Sequence, residues 1–392
     1  MERFRARVRS PLHYAPVFDI DAGSGDPTSC ARTDDWVWRF QALVDAHIPD
    51  TAERLKVAVL DTGLDVKHPE FADEDRLKER RSWVGSAADV DSSGHGTHIV
   101  STILSLTENV DVYVAKISEG NTFETTEQIA EECDTPIAIQ VASEEWDVDI
   151  ISLSFGLRHK PQKVQDEIKK AVDRGKLIFA AASNSGANDP RAYPASQEGV
   201  ICVHSADGLG NASLFNPTEL PGPDDDNFCF VGENIEGAWP SSMPDQAGGT
   251  RRMTGTSYAT AVAIAVAALM IGFVRENMPE HVNWDIPPLS LAGIRAIFHT
   301  MSEQRNGQRY DLVNPVRVFG GDTPAEQQEV LEAIRTKLER ANVGHVVDVE
   351  SLVMVYDEGD LVEGVFEGGI LGSEDVGDEY LTVRAGDGDI QA

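Results

Sequence analysis

The chain has 392 residues, 41% hydrophobic and 25% charged, enough to bury a large core in two or three units. Sixty-six acidic residues against 33 basic ones give a formal charge of −33, which repels phosphate and argues against nucleic acid or anionic membrane as partners. Four widely separated cysteines (Cys30, Cys133, Cys202 and Cys229) show neither metal-ligand spacing nor a disulfide framework.

The basic stretch from Met1 to Arg9 is followed by Ser10-Pro11-Leu12-His13-Tyr14 rather than an apolar run, so it does not read as a secretory signal. Residues 1–54 read as an N-terminal extension, with a loop at 23–27 and a short helix over 34–47. The apolar, β-branched run 55–60 predicts a buried strand that ends at Asp61-Thr62-Gly63. A helix is expected from 95 to about 106, a strand over 110–117, a helix over 127–145 and a strand over 149–155. Then come a helix over 161–174, stopped by Gly175, and strands over 177–182 and 200–205. Strands alternating with helices of this length predict an α/β fold with a mostly parallel central sheet and helices on both faces. Residues 210–250, rich in Pro, Gly and Asp, read as long surface loops. Helices follow over 257–275, near 289–301 and over 324–341. The longest apolar run, 259–274, is short for a membrane span and reads as a buried core helix. With neither signal nor span visible, a cytoplasmic protein is expected. From Val346 to Ala392 the sequence holds thirteen acidic residues and one arginine, Arg384. This segment reads as a small acidic appendage with short strands at 352–356 and 380–383. The domains expected are thus 1–54, 55–320 and 321–392.

Three motifs carry chemistry. Asp61-Thr62-Gly63 closes an apolar strand, Gly94-His95-Gly96-Thr97-His98 opens a helix, and Gly255-Thr256-Ser257-Tyr258-Ala259 opens the apolar helix. Acyl transfer by serine needs a hydroxyl, a base to take its proton and a carboxylate to hold that base in one tautomer. A serine at a helix N-terminus also gains from the free N–H groups there, which favour developing negative charge.

In order and spacing, with His95 34 residues after Asp61 and Ser257 162 after His95, these motifs resemble the subtilisin-like serine proteases. The resemblance covers about 55–300 and implies a three-layer α/β sandwich. It implies Asp61, His95 and Ser257 as the catalytic triad and Asn184, within Ala180-Ala181-Ala182-Ser183-Asn184-Ser185-Gly186, as the side-chain donor of the oxyanion hole. Ser154, Phe155 and Gly156 would pair with the substrate backbone, and Ala182 and Ala192 would line the S1 pocket. Its apolar walls would favour a large apolar P1 side chain. The chemistry requires no cofactor. A narrower resemblance, to intracellular subtilase domains of filamentous fungi, rests on Gly94 to Ser101, Val112 to Lys116, Ala181 to Gly186, Phe215-Asn216-Pro217 and Gly255 to Thr260. It implies regulatory, limited proteolysis of polypeptide substrates, in immunity or incompatibility.

Departures from the family pattern are also visible. Only 60 residues precede Asp61, too few for the usual pro-segment; Ala261 stands where proline is common and Ser101 where glycine is frequent. His95 and His98 flank one turn, but no further ligands accompany them, so His98 reads as packed rather than zinc-bound. Residues 71–75 contain enough carboxylates for a structural calcium but lack EF-hand spacing, and a solvated loop is the preferred reading. Asp224-Asp225-Asp226 likewise reads as a surface loop. The competing function is a binding or regulatory module with latent activity, docking a protein partner through its acidic C-terminal segment.

Overall fold

A computed structural model of the chain describes residues 20–21, 26–49, 53–120, 134–157, 159–222, 226–240, 243, 249–277, 287–304, 309–319, 324–343, 354–355 and 361–362. The chain divides into two units, 1–343 and 344–392.

In the first unit, the described residues form a sheet of nine strands: β2 (Leu55–Asp61), β3 (Leu77–Ser82), β4 (Val110–Lys116), β5 (Ile150–Leu153), β6 (Leu177–Ala181), β7 (Val200–Ala206), β8 (Phe228–Val231), β11 (Ser302–Gln304) and β12 (Asp311–Val313). Their order is β11-β12-β8-β7-β6-β5-β2-β4-β3, every neighbouring pair being parallel except β11 with β12. A parallel sheet must be covered on both faces, so its central strands β2, β5, β6 and β8 are largely apolar rather than alternating with polar residues. In β2, Val57 and Val59 enter one core while Ala58 and Leu60 enter the other. The first core packs against helices α1 (Pro27–His47), α2 (His95–Leu106), α5 (Thr256–Asn277) and α6 (Leu291–Met301). The second packs against α3 (Asp134–Gln140) and α4 (Gln162–Asp173). The three-layer arrangement is therefore the one expected.

Helix α5 is long and apolar enough to cross a membrane, yet that apolar stretch lies wholly inside the fold. It is the buried core helix read from 259–274. Helix α1 starts at Pro27, seven residues before the predicted 34, because Pro27 supplies the preset φ of a first helical residue. Of the helix read over 127–145, residues 127–133 lie outside the described residues. The rest is α3 followed by a π-helical turn, Val141–Glu145.

One expectation needs correction. Residues 210–250 are not only loops. They contain β8 and β9 (Ile235–Ala238) and reach the first residue of β10 (Thr250–Thr254). β8 is only four residues long and fully buried, so the Pro- and Asp-rich residues around it mask it in any averaged window. β3, with the sequence LKERRS, carries too many charges to read as a strand. It lies at the edge of the sheet, where charged side chains reach water and discourage pairing with another chain. A second, smaller sheet has the order β1-β10-β9, where β1 is Ile20–Asp21. Helix α7 (Pro324–Val343) buries Ile334 and Leu338 in the first core.

In the second unit, Met354–Val355 pairs antiparallel with Leu361–Val362. The first of these strands falls within the predicted 352–356, and the strand read at 380–383 lies outside the described residues.

Candidate active site

β2 lies inside the sheet between β5 and β4, and Asp61 is its last residue, at the carboxyl end where parallel sheets open into a crevice. The Oδ1 of Asp61 accepts hydrogen bonds from His95 Nδ1 at 2.7 Å and from the Thr62 N–H at 2.8 Å. Both side chains are buried. Since a carboxylate only accepts, the proton sits on Nδ1 and the imidazole presents Nε2 as a base.

The start of α2 is tied to the end of β2 by a group that motif reading passed over. The buried Asp91 carboxylate accepts from Thr62 Oγ1 (2.9 Å), Ser93 N (3.0 Å), Gly94 N (2.8 Å), Thr97 N (2.9 Å) and Thr97 Oγ1 (2.7 Å). The Thr62 hydroxyl in turn accepts from Gly96 N at 2.9 Å. Asp91 therefore satisfies N–H groups that the first turn of α2 would otherwise leave bare, and it joins the residue after Asp61 to the residues around His95. Burial pushes its pKa up, against the pull of the bonds from Thr97, Gly94 and Thr62, which favour the ionised form. A Cβ at Gly96 would collide with the Gly63 carbonyl, so only glycine allows α2 to start this close to β2. From below, the fully buried Lys116 Nζ donates to the carbonyls of Thr62 and Val90, each at 2.8 Å. The signal for Asp91 was an acidic residue four positions ahead of a helix. Lys116 had none, because its partners are distant in sequence.

Ser257 is the second residue of α5, and Tyr258 beside it packs its ring 5.6 Å from that of His95 and 4.7 Å from that of His98. The serine Oγ donates to the carbonyl of Ser154 at 3.3 Å. Asn184 Oδ1 accepts from the Thr256 N–H at 2.9 Å, which fixes the amide against the first residue of α5. Ser183, just ahead of it, has φ of 134° although it is not glycine; its N–H donates to Thr256 Oγ1 at 3.4 Å and its Oγ pairs with Ser185 Oγ at 2.9 Å. Asp61, His95 and Ser257 thus stand at the ends of three separate elements, and Asn184 in the loop after β6 is tied to the start of α5 beside them.

The predicted substrate-binding residues form two connected stretches. Ser154, Phe155 and Gly156 continue from β5, and Leu157 N donates to Tyr193 O at 2.7 Å. Ala192 N donates to Ala182 O at 2.8 Å, so the two stretches face each other across backbone bonds. Ala182 itself is fully buried, and its carbonyl is the part that anchors Ala192.

His98 is packed, as its lone setting suggested. Its Nε2 donates to the carbonyls of Ile235 (3.2 Å) and Arg251 (3.0 Å), and burial lowers its pKa to about 4, so it stays neutral. Among the described residues no three His, Cys, Asp or Glu side chains gather as a metal site. In the 71–75 loop, Glu74 is held by Arg76 and Asp75 by Arg54 at 3.0 Å, so these carboxylates face arginines. Asp226 pairs with Arg295 and with His299, while Asp224 and Asp225 lie outside the described residues. Ser101, where the family often has glycine, donates to Glu70 Oε1 (2.6 Å) and accepts from Ala238 N (2.8 Å). Cys30, Cys202 and Cys229 are outside any disulfide among the described residues, and Cys133 lies outside the described residues.

Comparison with known proteins agrees with this geometry. The model of the subtilase family matches residues 52–311. Subtilisin-like protease het-Q2 of Podospora anserina is 29% identical over 266 residues, covering 56% of this chain and 70% of that protein. The major intracellular serine protease of Bacillus subtilis is 30% identical over 255 residues, covering 59% and 72%. M-protease of Shouchella clausii is 27% identical over 286 residues, covering 70% and 68%. Among solved structures, the prenylagaramide maturation protease PagA superposes with a TM-score of 0.54 at 20% identity, covering 76% of this chain and 98% of that one, a likeness of fold. The matched span takes in Asp61, Asp91, His95, Asn184 and Ser257, and the chain belongs to the subtilase family of serine endopeptidases.

Proposed function

We propose that the chain hydrolyses peptide bonds through Ser257, His95 and Asp61, in regulatory, limited proteolysis inside the cell. The observation that carries the reading is the buried 2.7 Å bond between His95 Nδ1 and Asp61, set beside a serine at the head of a buried helix. Ser257 Oγ attacks the scissile carbonyl carbon as His95 Nε2 takes its proton. The imidazolium is stabilised by Asp61 and returns the proton to the leaving amine. The Asn184 amide and the Ser257 N–H, at the positive end of α5, stabilise the oxyanion. Water then repeats the sequence on the acyl-enzyme.

The apolar surroundings of Phe155 and Ala192 favour a large apolar P1 side chain such as Leu, Phe or Tyr. The charge of −33 favours encounter with basic substrates and acts chiefly on the association rate. Placement inside the cell draws on the likeness to the intracellular Bacillus enzyme, and the regulatory role on the resemblance to intracellular fungal subtilase domains.

The test is labelling by a fluorophosphonate probe, with Ser257→Ala alongside. The wild type should label and the variant should not, with turnover lower by about 10⁶, the loss known for subtilisin. Asn184→Ala should still label and should lose about 10²–10³ in kcat. A folded wild type that fails to label would instead identify the chain as a latent or binding module.

A further inference from the structure

Asn184 is the middle one of three residues that join two fixed points. On one side, Ala182 is still bound to the sheet: its N–H donates to Val203 O at 2.9 Å and its carbonyl accepts from Ala192 N at 2.8 Å. On the other, Gly186 N donates to Phe215 O at 2.9 Å. The course of Ser183, Asn184 and Ser185 between these points decides where the Asn184 amide lies.

Side-chain oxygens set that course. Ser183 Oγ accepts from Ser185 N at 3.2 Å, closing a turn across Asn184, and pairs with Ser185 Oγ at 2.9 Å. In such a turn a hydroxyl stands in for a backbone carbonyl and fixes the residue it spans. The turn is docked on the residue ahead of Ser257: Ser183 N donates to Thr256 Oγ1 at 3.4 Å, and Asn184 Oδ1 accepts from Thr256 N at 2.9 Å. With Oδ1 held there, the donor end of the amide points where the turn sends it.

The conformation is one a serine adopts only under constraint. Ser183 is buried, with φ of 134°, a backbone region that suits glycine. Glycine could follow the same path, but it has no oxygen with which to close the turn. Strain of this kind persists where the surrounding structure holds it, and here the neighbour is the oxyanion donor.

We propose that Ser183 is a positioning residue of the oxyanion hole, its hydroxyl closing the turn that aims the Asn184 amide at the oxygen of the attacked carbonyl. The proposal rests on the reading of Asn184 as an oxyanion donor. Ser183 acts through Asn184, on an oxygen that gains its charge only once Ser257 has added. Its effect therefore falls on kcat rather than on substrate binding.

The full chain is prepared as wild type, Ser183→Gly, Ser183→Ala, Asn184→Ala and the Ser183→Gly, Asn184→Ala double variant. Each is followed by thermal melts and by kcat and KM on one peptide substrate. Glycine relieves the backbone strain and alanine keeps it, while both lose the hydroxyl. The melting midpoint should rise with glycine and fall with alanine, yet kcat should fall roughly 10-fold in both with KM nearly unchanged. In the Asn184→Ala background, Ser183→Gly should change kcat by less than about 2-fold, because no amide is left to aim. A peptide aldehyde, whose adduct with Ser257 bears the same oxygen, should bind either Ser183 variant about 10-fold more weakly than the wild type. A wild-type kcat in Ser183→Gly, or an equal loss with and without Asn184, overturns the proposal and leaves the reading of Asn184 intact. An Asn184→Ala variant with wild-type kcat overturns both.

Discussion

The Asp61–His95 pair is held in place by residues that never touch a substrate. Asp91 takes five hydrogen bonds from the loop after β2 and the first turn of α2, so its loss strands donors in a buried setting. Asp91→Asn should destabilise the fold by about 1–3 kcal/mol. It should also lower kcat by about 10²-fold through displacement of His95, with KM nearly unchanged; urea unfolding and a split of kcat from KM check this. An effect on stability alone would leave Asp91 a purely structural residue. Asp61, His95 and Ser257 could be picked out in the sequence because glycines and small residues stand beside each of them, whereas Asn184 followed only from the family resemblance. Lys116 could not be picked out, because its partners Thr62 and Val90 lie 54 and 26 residues away and no local pattern marks such a bond, while Asp91 was signalled only by its place four residues ahead of α2.

At the level of elements, buried strands were readable wherever an apolar run ended in a turn, as in β2, β6 and β7. β3 and β10 were not, since LKERRS and TRRMT owe their conformation to a neighbouring strand rather than to their own composition. The packing of α2 against β9 offers a test at this scale. Ser101 links α2 to Ala238 at the end of β9 and to Glu70 in the loop after β2. Ser101→Gly, which restores a residue frequent in the family, removes both bonds and adds the helix cost of glycine. A loss of about 2–3 kcal/mol is expected from thermal or urea unfolding. An unchanged midpoint would mean that water replaces the hydroxyl at no cost.

The whole molecule combines a strongly anionic surface with histidines that are neutral in its interior. Burial lowers His98 to about 4 and His204 to about 3, the latter with the nearby Arg191 charge assisting. His204 Nδ1 donates to Phe228 O at 3.1 Å, and its Nε2 has no hydrogen-bond partner among the described residues. Below the ordinary histidine value of about 6.5 the unfolded chain binds protons that the fold refuses. Stability from these two groups is therefore complete above about pH 6.5 and falls as the pH drops toward 4 and 3, by up to about 1.4 kcal/mol per pH unit for each. His204→Phe should make the urea midpoint fall less steeply between about pH 7 and pH 5, by close to one proton's worth. An unchanged slope would mean that His204 titrates freely in the fold. Composition made the acidity plain, but which histidines are sealed follows only from how β7, β8 and β9 close over them.

Ser183 has one more consequence. A serine held at φ of 134° beside Asn184 occupies a conformation that glycine alone adopts without strain. Ser183→Gly should therefore raise the unfolding midpoint by the equivalent of about 1 kcal/mol, measured by thermal melts, with fluorophosphonate labelling intact. Selection has left a sturdier molecule one codon away and has not taken it, as happens when natural chains are kept only as stable as their work demands.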